Sequence, residues 1–339
     1  MGPGAAGRTE ALSHASKHAG VVAIGRNEGE RLKKCLESVA GIGGCVVYVD
    51  SGSTDGSVAT ARAMQADVIV MDARIPFTAA RARNEGLRRM REIAPRLAYV
   101  QFVDGDCEVV AGWLEAAAAF LDTHADVAAV SGRLRERHPE RSIYNRLCDI
   151  EWDKPVGEAK ACGGIALVRV DAFEQVGGFR ADLIAGEEPE LCFRLRAAGW
   201  RVWCLEREMA LHDAAMMRFA QWWKRAKRTG YAFAEGASLH GGSRDRYSVR
   251  ESRSAWFWGL GLPLVAFACT ALIGPIGMTA LLAYPLQVLR LALRGDRSAR
   301  ENWLRAAFLV IGKFPEMLGQ VRFITDHRFG VQSRLIEYK

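Results

Sequence analysis

The sequence lacks several signatures that would assign a function class at once. Its eight cysteines, at 35, 45, 107, 148, 162, 192, 204 and 269, include no C-x-x-C pair and no His/Cys cluster with zinc spacing. They are scattered like small hydrophobes, which argues against a disulfide framework and for a reducing compartment. No G-x-G-x-x-G follows the first apolar strand, and no G-x-x-x-x-G-K-[ST] occurs anywhere. A dinucleotide dehydrogenase or a P-loop enzyme is therefore disfavoured. The opening MGPGAAGRTEALSHASKHAG has no apolar core, so residues 1–19 read as a disordered leader and not as a secretory signal.

What is present is the composition of a folded protein, with 50% hydrophobic and 25% charged residues over 339 positions. That length suits one large domain plus an attachment, or two domains. The net charge of +7 is unevenly spread. Between Arg218 and Arg253 nine Lys/Arg face three acids, directly before 35 uncharged residues, Ala255–Leu289. Basic charge beside an apolar run points to anionic lipid headgroups as partner, with no nucleic acid expected. As one helix the run would measure about 52 Å, far beyond the ~30 Å hydrocarbon layer. Gly274-Pro275 divides it, and arginines flank both ends, which places both ends in the cytoplasm. The expectation is an apolar helical hairpin at about 255–293 within a membrane-associated region, 241–339, on the inner (cytoplasmic) membrane. WLRAAFLVIGKFPEML reads as an interfacial helix at about 301–320. A buried helical core in a soluble protein is the competing reading.

Residues 20–131 alternate between apolar strands and helical spacing. GVVAIG, CVVYVD, DVIVM and LAYVQFV are the strands, and the segments between them carry helix periodicity. This order implies an α/β domain with a mostly parallel sheet and flanking helices. Ligands of such sheets gather at the carboxyl ends of the strands. Three polar clusters stand there: Arg26-Asn27-Glu28, Asp50-Ser51-Gly52-Ser53-Thr54-Asp55 and Asp104-Gly105-Asp106. Alone, D-G-D is an ordinary turn. At a strand end without a glycine cradle, the carboxylates suit a divalent cation, Mn2+ or Mg2+, that neutralises substrate phosphates.

The order of VVAIGRNEGERLKKCLESV, VVYVDSGSTDGS, AARARNEGL, VQFVDGDCEV, GGIALVRVDAFEQVGGF and GEEPELCFRLRAAGW resembles the family 2 glycosyltransferases, which have the GT-A (nucleotide-diphospho-sugar transferase) fold. The likeness covers about 20–235, and a catalytic domain is expected over 20–240. It implies that Asp50, with Arg26, Asn27, Glu28 and Ser51, lines a nucleotide pocket. It implies that Asp104 and Asp106 form the D-x-D pair, Asp106 binding the metal and Asp104 reaching ribose or a metal-bound water. Arg83, with Arg81 beside it, would assist the diphosphate. GEEPEL resembles the family's E-D-x-E-L segment, with Glu188 at the general-base position and Glu187 next to it. His212 would approach the metal or diphosphate. Arg225 and Arg228, three apart on a helix after Trp222-Trp223, would contact phosphate or the acceptor's lipid, or snorkel at the bilayer surface, where the two tryptophans would also suit the interface.

The function so implied is a metal-dependent inverting glycosyltransferase. It would move a sugar from a nucleotide-diphospho-sugar donor to a hydroxyl of a lipid-linked saccharide acceptor, in envelope or exopolysaccharide synthesis. A polyprenyl-phosphate glycosyltransferase is the nearest alternative. A non-catalytic membrane scaffold with a transferase-like domain is the alternative from another class. A processive synthase is disfavoured, since one short hairpin cannot build a channel and QWWKR departs from Q-x-x-R-W.

Overall fold

The computed structural model describes residues 19–41 and 44–330. The leader expected over 1–19 therefore lies outside the described residues, except for Ala19, which opens the first strand. The chain forms two compact units. The first takes residues up to 138, 151–183 and 187–214; the second takes 139–150, 184–186 and 215 onward. The first unit ends before the boundary expected near 240 because the helix after 214 packs within the second.

The first unit begins with the alternation read from the sequence: β1 (Ala19–Gly25), α1 (Glu30–Val39), β2 (Val46–Asp50), α2 (Ser57–Ala63), β3 (Asp67–Val70), α3 (Ala79–Ile93) and β4 (Tyr99–Asp104). These four strands pair in parallel, and the β-branched residues of the inner strands β1 and β4 are buried on both faces, whereas those of β3 are partly exposed. Val21 and Ala23 enter one core with α1, whereas Val22 and Ile24 enter the other with α3. At Gly86 a Cβ would overlap Val22, so only glycine lets α3 lie this close to the sheet.

The chain continues through β5 (Cys107–Val109), α4 (Trp113–Thr123), β6 (Val127–Glu136), α5 (Ile143–Trp152), β7 (Gly157–Glu158), β8 (Ala166–Arg169), α6 (Val170–Gln175), α7 (Glu187–Ala197) and β9 (Arg201–His212). One nine-stranded sheet results, in the order β3-β2-β1-β4-β8-β6-β9-β5, with β7 on β9. Strand β8 runs antiparallel to β4 and β6, and β5 antiparallel to β9, so a parallel half meets a mixed half. Register places Gly25 opposite Asp50 and Ile24 opposite Asp104. The three polar clusters thus share one edge of the sheet.

The second unit holds α8 (Phe219–His240), α9 (Val249–Trp256), a π-helical turn (Phe257–Gly261), α10 (Leu262–Ile273), a 3-10 segment (Gly274–Leu282), α11 (Ala283–Leu293), α12 (Ala299–Ile311) and α13 (Lys313–Arg328). The chain doubles back at Gly274, whose φ of 77° is left-handed. Gly277 lies against the backbone of Cys269 and Thr270, and the Tyr284 hydroxyl donates to the Trp258 carbonyl at 2.6 Å. The stretch Val249–Leu293 is long and apolar enough to cross a membrane and is a candidate membrane-associated region. Its apolar side chains point outward: Leu272 is 83% exposed and Phe267 74%. Two readings of this unit need correction. The segment expected as one interfacial helix at 301–320 is two helices, α12 and α13, meeting at Gly312, and α13 packs along α8. Trp222 is buried edge-to-face on Phe308 at 4.8 Å, so it is a packing residue and not an interface anchor.

Candidate active site

The loops after β1 and β2 are stitched together by their own side chains. Asn27, held at a positive φ of 56°, accepts from the Thr54 N–H at 2.8 Å, while its own N–H donates to the Ser53 hydroxyl at 2.9 Å. Asp50 is fully buried. Its carboxylate accepts from the Tyr48 hydroxyl at 3.0 Å and from the N–H groups of Gly52 and Ser53 at 3.0 and 2.8 Å. Both oxygens are engaged, so Asp50 shapes the loop carrying Ser51 and does not present a bare carboxylate. Burial and the neighbouring Asp50 charge push the Tyr48 phenol well above its usual range, which keeps it a donor. Arg26 is exposed at the rim, and Glu28 pairs with Arg31 at 2.7 Å.

The D-G-D turn divides its two carboxylates between two partners. Asp106 is buried, and its Oδ2 lies 3.0 Å from His212 Nε2. Strand pairing of β5 with β9 sets this contact, since Cys107 stands opposite His212. The Trp152 ring stacks on His212 with centroids 4.5 Å apart. Buried Glu136 accepts from the N–H groups of Ala214 and His138, fixing the backbone just beyond His212. Donor atoms of Asp106, Cys107 and His212 lie within 4.8 Å of one another. The carboxylate suits Mn2+ or Mg2+, and the imidazole adds a nitrogen ligand open to transition-metal ions. The Cys107 thiol is held far above its ordinary pKa by burial and then by Asp104, so it is a weak ligand.

Asp104 stands apart from that set. Its Oδ1 accepts from Arg83 Nη2 at 2.8 Å, and Arg83 Nη1 donates to Glu187 Oε1, also at 2.8 Å. The Arg83 side chain is 3% exposed, against 35% for Asp104 and 12% for Glu187. Burial works against its charge, but the two carboxylates outweigh it and hold the guanidinium above its ordinary pKa. Arg83 is thus a bridge between β4 and the start of α7, and not a group aimed at solvent-borne diphosphate. Arg81 caps the carbonyls of Ile75 and Pro76 instead.

Glu188, beside Glu187 in the first turn of α7, points into the protein. Its Oε1 accepts from the Cys162 N–H at 2.6 Å and from the thiols of Cys162 and Cys192 at 3.1 and 3.0 Å. No described residue donates to Oε2. Cys192 is raised well above its usual pKa by its bond with Cys162 and by burial. For Cys162 the Cys192 hydrogen bond pulls downward, yet burial and Glu188 leave it raised. Both thiols remain donors. Glu190 serves the fold, pairing with Arg194 at 2.7 Å. Arg225 and Arg228 lie on α8 in the second unit.

Sequence reading missed the roles of Cys162, Cys192, Trp152 and Glu136. Only Cys192 carried a signal, its i,i+4 spacing from Glu188; the others come from distant segments.

Residues 21–177 match the family described as Glycosyl transferase family 2. Among solved structures, the chain is similar to the mannosyltransferase PcManGT from Pyrobaculum calidifontis, in complex with GDP-Man and Mn2+. The TM-score is 0.57 at 19% identity, covering 91% of this chain and 87% of that one. It is also similar to S. aureus TarS 1-349, with TM-score 0.49 and 16% identity over 92% of this chain and 91% of that one. No curated protein matches. A match to glycosyltransferase family 2 over residues 21–177 thus lies on a GT-A-like α/β fold.

Proposed function

We propose that this is a metal-dependent, inverting glycosyltransferase that moves a sugar from a nucleotide-diphospho-sugar to a hydroxyl of a lipid-linked saccharide, in envelope or exopolysaccharide synthesis at the cytoplasmic face of the inner membrane. The observation that carries the donor half is the Asp106–His212 pair at the strand-end edge. Asp106 and His212 would hold Mn2+ or Mg2+, which supplies charge stabilisation to the departing diphosphate. The Mn2+ and GDP-Man of the Pyrobaculum neighbour are in line with this reading.

Asp104, paired with Arg83, would face the ribose. Asn27, Ser51 and the loop fixed by Asp50 line the nucleoside side, with Arg26 and Glu28 at the rim. Glu188 is the general base: Oε1 is anchored by three donors, which leaves Oε2 to take the acceptor's proton. Glu187, tied to Arg83, orients that turn. The outward-facing apolar hairpin supports a lipid-linked acceptor and contact with membrane lipids. Arg225 and Arg228 supply charge for lipid phosphate.

Glu188→Gln tests the base directly, because the amide oxygen can still accept from the Cys162 N–H. Turnover should fall by about 10²–10⁴ while nucleotide affinity stays within about twofold. Turnover within tenfold of wild type would sink this role and favour an acceptor that is already ionised, a polyprenyl phosphate.

A further inference from the structure

Cys162, Glu188 and Cys192 bring two thiols and a carboxylate together in the interior of the first unit, all three buried. Cys162 Sγ and Cys192 Sγ are 3.5 Å apart, and each lies 3.0–3.1 Å from Glu188 Oε1. Metal–sulfur bonds of about 2.3 Å and metal–oxygen bonds of about 2.0–2.2 Å in a tetrahedron put S···S near 3.8 Å and S···O near 3.6 Å. The observed triangle needs to open by about 0.3–0.6 Å. Glu188 and Cys192 sit one turn apart on the same face of α7, so helix geometry alone presets two of the three donors. Cys162 is anchored to the same carboxylate by its own N–H.

We propose that Cys162, Glu188 and Cys192 form a binding site for a thiophilic divalent cation of the Zn2+ class, separate from the Asp106–His212 site. In the cation's absence two S–H protons point at Glu188; the cation takes their place, with a water completing the coordination. Two thiolates and a carboxylate around a divalent ion carry one net negative charge. Lys154 lies close enough to answer it, its Nζ donating to the Ala161 carbonyl at 3.5 Å and standing 3.1 Å from where a Cβ on Gly163 would be. Sulfur ligands select this class of ion over Mg2+ and Mn2+. Loading would occupy the Glu188 carboxylate and block transfer. That consequence rests on the reading of Glu188 as base, whereas the site itself does not.

Cd2+ titrated into the full-length, chelator-stripped protein, with Mg2+ in excess throughout, tests the site through thiolate-to-metal ultraviolet absorption. One Cd2+ per chain should bind, displaced by Zn2+ and not by added Mg2+. Cys162→Ser and Cys192→Ser should each weaken binding by more than about tenfold, while Cys107→Ser and Asp106→Ala leave the absorption in place. No thiolate absorption in the wild-type protein overturns the proposal. So does an absorption that survives Cys162→Ser and disappears in Cys107→Ser. Should Cys192→Ser fail to fold, the wild-type titration and Cys162→Ser decide the matter between them.

Discussion

Replacing Arg83 by methionine keeps most of the side-chain volume and removes the charge that joins Asp104 to Glu187. Its bond to Glu187 links groups 3% and 12% exposed at 2.8 Å. A charge-assisted bond so buried is worth about 2–3 kcal/mol. The bond to Asp104, whose side chain is 35% exposed, is screened by water; it is discounted to about 1 kcal/mol or less. The sum, about 2–4 kcal/mol, overlaps the usual cost of breaking a buried pair by removing one partner. Melting followed by circular dichroism should fall on the order of 10 °C. Arg74→Ala is the control: Arg74 pairs with Asp72 at 2.7 Å yet is 90% exposed, and its loss should leave melting unchanged. Lysine at position 83 should recover only part of the loss, since one ammonium cannot reproduce the fork to two carboxylates. Arg83→Met melting within about 2 °C of wild type would refute the reasoning from burial and pairing.

Three further outcomes follow from other parts of the molecule. Asp67 is held below its usual pKa of 3.8 by the Arg89 hydrogen bonds at 2.9 and 2.7 Å. A depressed carboxylate stabilises above its unfolded pKa, so the melting gap between wild type and Asp67→Asn should be full near neutrality and close as the pH falls through the lowered value. A gap that persists in full at pH 2 would contradict this. Trp152→Ala removes the ring stacked on His212 and should weaken Mn2+ binding by about tenfold, read by calorimetry; unchanged affinity would show that the ring does not orient the imidazole. Leu272→Glu together with Ile276→Glu places charge at the turn of the hairpin and should move the protein out of the floating fraction with anionic vesicles. Retention in that fraction would remove the hairpin from the membrane account.

The first four strands were legible because each pairs an apolar β-branched run with a polar strand end. The same pattern put Asp50, Asp104 and Asp106 on one edge. Their individual duties were not legible. Asp50 spends its carboxylate on Tyr48 and its own loop, a choice set by backbone geometry after β2. Arg83 reads as a helix-face arginine, and only the packing of α3 against β4 and α7 turns it inward to two carboxylates. Cys162 is 26 residues from Glu188, and no spacing rule links a loop thiol to a helix that distant. Among helices, apolar periodicity reports a buried stripe without saying what covers it. That is why 301–320 read as interfacial while α13 packs along α8, and why Trp222 read as an anchor while it meets Phe308.

The central claim is that the strand-end edge binds a nucleoside diphosphate through a cation held at Asp106 and His212. The direct test is a thermal-shift panel of the purified protein against UDP, GDP, CDP and dTDP, with and without Mn2+, repeated on Asp106→Ala and His212→Ala. One nucleotide at about 100 times its Kd should add about 2.7 kcal/mol of stability, only with Mn2+ and not in Asp106→Ala, with His212→Ala intermediate. A shift that needs no cation, or that survives Asp106→Ala undiminished, would contradict the account.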